Sequence, residues 1–548
     1  MPQEPASPAS VTCARAVVET LAAHGIDTIF CLPGYQSDWL FNALFDLKGR
    51  IRVVHTRHEQ GAAYMALGAA LATGRPAVCA TVPGPGFLNA TAALATAYGT
   101  NAPVLILPGE IPSRAIGRGL GLLHEIPNQL GILSSLTKWA ACATSPNEVA
   151  PMLAEAFRHM CSGRQRPVGV EIPPDILAAR GDFKAATPLP LGPEPSIDDG
   201  LVEQAADLLC GAERPLIFVG GGAQHVGDAL KSIAEHIQAP VVSNRMGKGA
   251  LSDHHPLSIS YPEGHRLWKD CDVVLAIGTR LQTPLSQWGT DERLKIIRVD
   301  IDPVEASRIR APALALIGDA ATIVQRLESA LAGKRRAASR AEEIAALRSR
   351  FARDLQSLQP QIAYLEAIRA ALPENGIFVD ELTQLGYVAR LAFPCYRPRT
   401  YLSPGYQGTL GWGFAAALGA KVARPDLPVV SISGDGGFMF NVQELATAVH
   451  HRIPVVAVVF NDGAYGNVRR AQIEDYGNRV MGCDLTNPDF LRMAESFGVK
   501  GVRAQDPDAL ARAIERALGS NQPTLIEVPC GPMPSPWPFV MLPKVRGN

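Results

Sequence analysis

Apolar residues along this chain repeatedly change their spacing, from unbroken β-branched runs to helical i, i+3, i+4 patterns. Residues 427–466, LPVVSISGDGGFMFNVQELATAVHHRIPVVAVVFNDGAYG, show this most clearly. Val429, Val430 and Ile432 form a run that stops at Gly434-Asp435-Gly436-Gly437. Val442, Leu445, Ala446 and Val449 then share one face of a predicted helix. A second apolar run, from Val455 to Phe460, ends at Asn461-Asp462-Gly463. Two short apolar runs flanking a helix predict a βαβ unit with parallel strands.

The same alternation recurs on both sides of this stretch. Near the start, Ala14, Val17, Val18 and Leu21 predict a helix, with Ser10 or Thr12 as its cap and Gly25 as its stop. Strands are expected at 28–30, 51–55, 77–81, 104–107 and 168–172. Residues 183–196 are rich in proline and read as a linker. Beyond them, 216–219 leads into Gly220-Gly221-Gly222, 273–277 into Gly278-Thr279-Arg280, and 296–299 into Asp300 and Asp302. That layout is nucleotide-binding-like. The three glycines do not form a G-x-G-x-x-G fingerprint, however, and a tight turn accounts for them. Residues 333–355 mix both charge signs and predict a solvated helical connector. Residues 533–543, rich in proline and aromatics, predict an extended arm. The fold class is therefore α/β, with domains expected at 1–183, 197–331 and 359–548. The outer two alternate alike without a high-identity repeat.

Bulk properties narrow the function classes. A length of 548 residues suits roughly three domains. The net charge of −1 gives no electrostatic case for nucleic acid or an anionic membrane. Ten cysteines without a C-x-x-C pair argue for reduced thiols in a cytoplasmic setting, not a disulfide framework or zinc site. No run of about 20 apolar residues suggests a membrane span. The opening MPQEPASPAS lacks signal-peptide features and reads as a frayed tail.

The chemistry concentrates at strand ends. Ligands of parallel sheets sit off the carboxyl ends of the strands. Glycines there let backbone N–H groups approach an anion at a helix N-terminus. Asp435 and Asp462 add hard oxygen ligands suited to Mg²⁺. Together these predict a phosphate ester held through a divalent cation.

This segment resembles the diphosphate motif of thiamine-diphosphate enzymes, which runs from Gly-Asp-Gly to an Asn-Asn pair. The 27 positions from Asp435 to Asp462 suit that motif. Asp462 stands where the second Asn is usual, adding negative charge. The resemblance implies Asp435, Asp462 and the backbone carbonyl of Ala464 as Mg²⁺ ligands. It implies Gly434, Gly436, Gly437, Tyr465 and Gly466 around the diphosphate. VVHTRHEQGAAYMALGAALA looks like the family's glutamate-plus-helix motif, with Gly84-Pro85-Gly86 and Asn89 following. Glu59 would then bond N1′ of the aminopyrimidine, in a largely apolar site that raises a carboxyl pKa towards about 6–7. His58 reads as its neighbour. Leu410, 25 positions before Asp435, would be the apolar wedge under the cofactor. In IFVDELTQ, which includes Glu381, Thr383 and Gln384 would donate to the diphosphate, or simply cap the next helix.

The resemblance covers about residues 11–530 and is to the thiamine-diphosphate 2-oxo acid decarboxylase and acetohydroxyacid synthase family. It implies three doubly wound parallel-sheet domains: pyrimidine-binding, central and diphosphate-binding. It also implies a homodimer or homotetramer, because in that family the anchoring domain and the activating glutamate come from different subunits. The implied reaction is decarboxylation of a small 2-oxo acid to an enamine, ligated to an aldehyde or second oxo acid. Release of an aldehyde is the alternative. So is a flavin-retaining oxidase of the same family, with FAD in the middle domain the less favoured cofactor. A non-catalytic nucleotide-binding protein would leave Glu59, Leu410 and Asp435 unexplained.

Pocket candidates are Pro33-Gly34-Tyr35-Gln36, Val82, His124-Glu125 and residues 464–472. His124 replaces the glutamine of the synthases' Gln-Glu-Thr-Pro motif and reads as a proton relay or a structural histidine. Ala471 stands where those synthases use a tryptophan to select the second oxo acid, and Tyr35 replaces a small residue. His450-His451 read as surface residues at a helix end, unlike the adjacent pocket histidines of pyruvate decarboxylases.

Overall fold

The computed structural model describes residues 10–547, so the tail at 1–9 lies outside the described residues. Three six-stranded parallel sheets succeed one another along the chain. The first orders its strands Arg52–His55, Thr28–Cys31, Ala77–Thr81, Val104–Pro108, Val168–Glu171, Trp139–Cys142. The third runs Tyr401–Leu402, Ile377–Val379, Val429–Gly434, Val456–Asn461, Thr524–Pro529, Lys500–Arg503. Numbered within its own domain, each is 2-1-3-4-6-5. The middle sheet runs Ser258–Ile259, Val241–Ser243, Leu216–Val219, Val273–Ile277, Lys295–Asp300, Leu314–Ile317, which is 3-2-1-4-5-6. That last order is the one of dinucleotide-binding sheets, a statement about fold alone. A short antiparallel pair, Val11–Thr12 with Arg180–Gly181, ties the two ends of the first domain together.

Buried runs predicted most of the inner strands, though not Val241–Ser243 or Thr524–Pro529, because helices cover both faces of a parallel sheet. Five of the six edge strands escaped that signal, and Arg52–His55, expected at 51–55, did not. Trp139–Cys142 is half-buried throughout, and Ser258–Ile259 and Tyr401–Leu402 are two residues each. Thr12 caps the first helix, Cys13–Ala23, its hydroxyl accepting from the Arg15 N–H at 3.3 Å.

One helix differs from expectation. After Gly437 the regular helix is only Glu444–His450, and its buried residues are Glu444, Leu445, Thr447 and Ala448. Val449, assigned to the apolar face, is exposed. The face is rotated because Glu444 has polar work inside. Its carboxylate accepts the backbone N–H groups of Arg57 and His58, each at 3.1 Å.

The outer domains share one apolar core, which includes Tyr64, Leu67, Trp412 and Leu418. Helices Glu59–Thr73 and Trp412–Ala423 cross so closely that a Cβ on Gly68 would overlap the Ala416 carbonyl, and one on Gly419 the Met65 carbonyl. In the middle domain, a Cβ on Gly220 would overlap the Gly278 carbonyl, and one on Gly222 would lie 2.7 Å from Gly278 Cα. Tight packing thus accounts for these glycines. The charged connector is a helix at Ala341–Asp354 with Ile344 and Phe351 buried. The C-terminal arm returns to the middle domain, where the Val545 N–H donates to the Trp288 carbonyl at 2.9 Å. All ten cysteines are free thiols. No described helix is long and apolar enough to cross a membrane.

Candidate active site

The third sheet gathers Asp435 and Asp462 at the carboxyl ends of its two central strands. The register Gly434↔Phe460 sets the two central strands level, so Asp435 and Asp462 emerge side by side. Asp435 is buried and opens the short helix Asp435–Phe438. Asn487 Nδ2 donates to Asp435 Oδ2 at 2.5 Å and to Asn461 Oδ1 at 2.9 Å. Gln384 Nε2 donates to Asp462 Oδ2 at 2.5 Å. Burial, and then the charge of Asp435, push the Asp462 carboxyl up to about 6. Two facing carboxylates, one reluctant to ionise, are what a divalent cation relieves.

The surrounding backbone fits such a cation and an anion beside it. Tyr465 N–H donates to the Cys483 carbonyl and Leu485 N–H to the Gly463 carbonyl, both at 2.8 Å, which leaves the Ala464 carbonyl outside this pairing. A Cβ on Gly466 would overlap Asp462 Oδ2, and one on Gly436 would lie 2.5 Å from the Tyr465 ring. Gly434 is different. A Cβ there would meet only Thr383, at an ordinary 3.6 Å, so protein packing alone does not demand glycine. The space it leaves faces Thr383, as a cradle for a bound anion would.

Thr383 caps helix Gln384–Ala392, its hydroxyl oxygen accepting from Leu385 N–H at 3.1 Å and Gly386 N–H at 2.8 Å. Its own O–H remains to donate. Gln384 is committed to protein. Beyond Asp462, its Oε1 accepts from the Met533 N–H at 2.8 Å. It therefore orients a carboxylate instead of standing as a free diphosphate donor.

Sequence reasoning named Glu381 without giving it a task. The structure buries it completely beneath the Leu410 loop. It accepts from Gly411 N–H at 3.0 Å, Gly413 N–H at 2.9 Å and Ser433 Oγ at 3.2 Å. Burial pushes its carboxyl up to about 7. Gly408 and Gly411, at φ +60° and +77°, bracket half-buried Leu410 in a conformation that other residues resist. Asn487 was missed as well. It comes from a loop 52 residues beyond Asp435, and no local pattern marks it.

At the first sheet, Glu59 opens helix Glu59–Thr73 and is buried. His58 is the N-cap, its Nδ1 accepting from the Gln60 N–H at 3.2 Å. Glu59 Oε2 accepts from Asn89 Nδ2 at 3.0 Å. A Cβ on Gly86 would lie 3.1 Å from Glu59 Oε1 and 2.5 Å from Val82 Cγ2, and one on Gly34 would overlap Val82 Cγ1. Val82 is thus wedged between two glycines beside the glutamate. His124, at φ +68°, lays its carbonyl against Gly84. Its Nδ1 is 2.9 Å from Gln36 Oε1. Glu125 instead turns back to accept the Leu122 N–H at 2.8 Å.

A short chain of contacts joins the two ends. Asn441 Nδ2 donates to Gln60 Oε1 at 3.1 Å and to the Gly411 carbonyl at 2.6 Å, linking the residue after Glu59 to the residue after Leu410. Tyr35 is 73% exposed, and Ala471 lies on helix Gly466–Glu474, which buries no residue. Of the histidine pair, His450 is exposed as expected, whereas His451 is half-buried with its Nε2 3.1 Å from the His55 N–H.

Three parallel α/β domains, the outer two alike in strand order, with a metal-ready carboxylate pair on one and a buried helix-opening glutamate on the other, define a class of cofactor-dependent enzyme. Family models agree along the chain. Residues 11–132 match the thiamine pyrophosphate enzyme N-terminal TPP binding domain, 202–327 its central domain, and 382–528 its C-terminal TPP binding domain. The chain belongs to the thiamine-diphosphate-dependent, acetolactate-synthase-like enzyme family. It is 35% identical to a probable 2-ketoarginine decarboxylase of Pseudomonas aeruginosa, over 96% of this chain and 95% of that protein. It is 33% identical to a probable acetolactate synthase large subunit of Methanocaldococcus jannaschii (95% and 92%), and 32% identical to the acetolactate synthase isozyme 2 large subunit of Escherichia coli (96% and 97%).

Proposed function

We propose that this protein decarboxylates a small 2-oxo acid with thiamine diphosphate and Mg²⁺, and joins the remaining acyl carbon to a carbonyl acceptor. The observation that carries this reading is the facing pair Asp435 and Asp462, beside the open cradle at Gly434 and Thr383. In it, Asp435, Asp462 and the Ala464 carbonyl hold the metal, with Asn487 and Gln384 orienting the two carboxylates. Gly434, Gly436, Gly437, Tyr465, Gly466 and the Thr383 hydroxyl surround the diphosphate. Leu410 supports the ring system from below, held by the glycines and Glu381. Glu59 exchanges a proton with the aminopyrimidine N1′. When bound, the cofactor supplies the carbon nucleophile and stores the electron pair left by CO₂. The family resemblance further supports a homodimer or homotetramer as the working unit.

A second reading, in which the product leaves as an aldehyde, rests on one particular observation. His124, oriented by Gln36, places an imidazole that can hold and pass on a proton on the Glu59 side. Ala471 also offers no bulk with which to select a second oxo acid. The first relative given above is named as a decarboxylase, which accords with this reading.

The test is a screen of 2-oxo acids, with and without acceptor aldehydes, following CO₂ and ligation products. CO₂ release that needs both thiamine diphosphate and Mg²⁺ is expected, with a ligated product when acceptor is present. Free aldehyde alone, in every acceptor mixture, selects the second reading. Absence of cofactor-dependent CO₂ release across the screen overturns both.

A further inference from the structure

Away from the strand-end site, three histidines converge where the first and third domains meet. His55 ends the strand Arg52–His55, and His450 and His451 close the helix Glu444–His450. One ring nitrogen from each lies within 4.8 Å of those of the other two. The ring centroids are 4.6, 4.8 and 4.7 Å apart, and every pair meets edge to face. His451 is fixed by its backbone contact: in the tautomer with Nε2 protonated, Nε2–H donates to the His55 carbonyl at 3.2 Å, and this leaves the Nδ1 lone pair for a ligand. His450 is exposed, so one side of the cluster opens to solvent.

We propose that His55, His450 and His451 form a binding site for a late divalent transition metal such as Zn²⁺. The donor set is all imidazole nitrogen, which suits Zn²⁺, Ni²⁺ or Cu²⁺ and is poorly matched to the oxygen-seeking Mg²⁺ of the strand-end site. Tetrahedral Zn²⁺ with Zn–N bonds of about 2.0–2.1 Å needs ligand nitrogens roughly 3.3 Å apart. Closing the gap takes side-chain rotations, large in exposed His450 and smaller in half-buried His55 and His451. Solvent fills the fourth position. Arg57 beside His55 and Arg52 beside His451 oppose a cation. Arg52 points its Nη2 at the His451 carbonyl, 3.1 Å away, and both repulsions are screened by water at this exposed edge.

The site's position gives such an ion a consequence. His55 lies four residues before Glu59, and Glu444, on the His450 helix, already grips the intervening backbone at Arg57 and His58. A metal shared by His55, His450 and His451 adds a second clamp across the same domain contact. Binding only the folded arrangement, it stabilises it by mass action.

The experiment titrates Zn²⁺ into chelator-treated protein reloaded with thiamine diphosphate and excess Mg²⁺, by calorimetry and thermal melting. We expect one saturable Zn²⁺ per chain at micromolar concentration, not displaced by Mg²⁺, and a rise in melting temperature on saturation. His450→Ala and His55→Ala should each lower Zn²⁺ affinity by about tenfold or more and remove the rise. Because His450 is exposed, its variant keeps the fold, which circular dichroism verifies. No saturable binding, or wild-type affinity in either variant, overturns the proposal. These readouts do not depend on turnover, so they stand apart from the test of the reaction.

Discussion

At the carboxyl ends of the first sheet Gly34 packs on Val82, Gly84 on the His124 carbonyl, and Gly86 on Val82 and the carboxylate of Glu59, whose hydrogen-bond partner is Asn89. At the same ends of the third sheet stand two adjoining polar sets, Asn487 bonded to Asp435 and Asn461, and Gln384 bonded to Asp462. The strand order is the same in both. What differs is solvation. The first end sets Glu59 beside Gly86 and Val82 with one amide partner, while the buried acids Glu110 and Glu171 lie at other strand ends of the same sheet. The third crowds acids and amides together, an arrangement that favours a cation. One topology, used twice, carries two different electrostatic settings because the residues at and just beyond the strand ends differ.

The largest test of this contrast is Glu59→Gln. Turnover should fall by about 10²–10⁴-fold, the usual worth of a positioned acid–base group, while thiamine diphosphate still binds by calorimetry. Equal loss of binding and turnover would show that the two ends do not divide the work. Next comes Asp435→Ala, which should weaken cofactor and Mg²⁺ binding together. Asn487→Ala should do the same more mildly, by about 10–100-fold, as befits a partner of a metal ligand. Retained metal affinity in Asp435→Ala would remove the anchor from the third sheet.

A smaller effect concerns the contact between the two domains. Glu444→Ala leaves the Arg57 and His58 N–H groups without their acceptor and should cost about 1–3 kcal/mol of stability by denaturant unfolding. An unchanged midpoint would mean that the crossing at Gly68 and Gly419 alone holds the domains together.

The smallest effect is a pH slope. Burial raises Glu381 from 4.5 to about 7 in the folded protein, so the folded state binds its proton more tightly than the unfolded chain does. Its contribution is therefore complete below about pH 4.5 and is lost as pH rises through about 7. Melting temperatures measured across this window should fall more steeply for wild type than for Glu381→Gln. Parallel curves would refute a titrating carboxyl under the Leu410 loop.

Much of this was legible in order along the chain. Most inner strands announced themselves because burial on both faces demands continuous apolar runs, and the ends at Asp435 and Asp462 were read from glycines that interrupt such runs. Five of the six edge strands, exposed along one side, carried no comparable pattern; Arg52–His55 was the exception. The helix at Glu444–His450 misled because its buried face includes a glutamate, and periodicity counts only apolar positions. His451 misled for a related reason: a histidine at a helix end looks solvated until another domain is laid against it.

The amino-acid sequence by itself determined the α/β class, the three successive domains and the candidate acids, since these follow from local periodicity and from residue chemistry at fixed spacings. Only the tertiary structure decided the partners. That Asn487 serves Asp435, that Gln384 is spent on Asp462, that Glu381 carries the Leu410 loop and that His55 meets His450 and His451 are pairings across 30 to almost 400 residues. Such pairings depend on where packing places two distant backbones, and no local spacing encodes that.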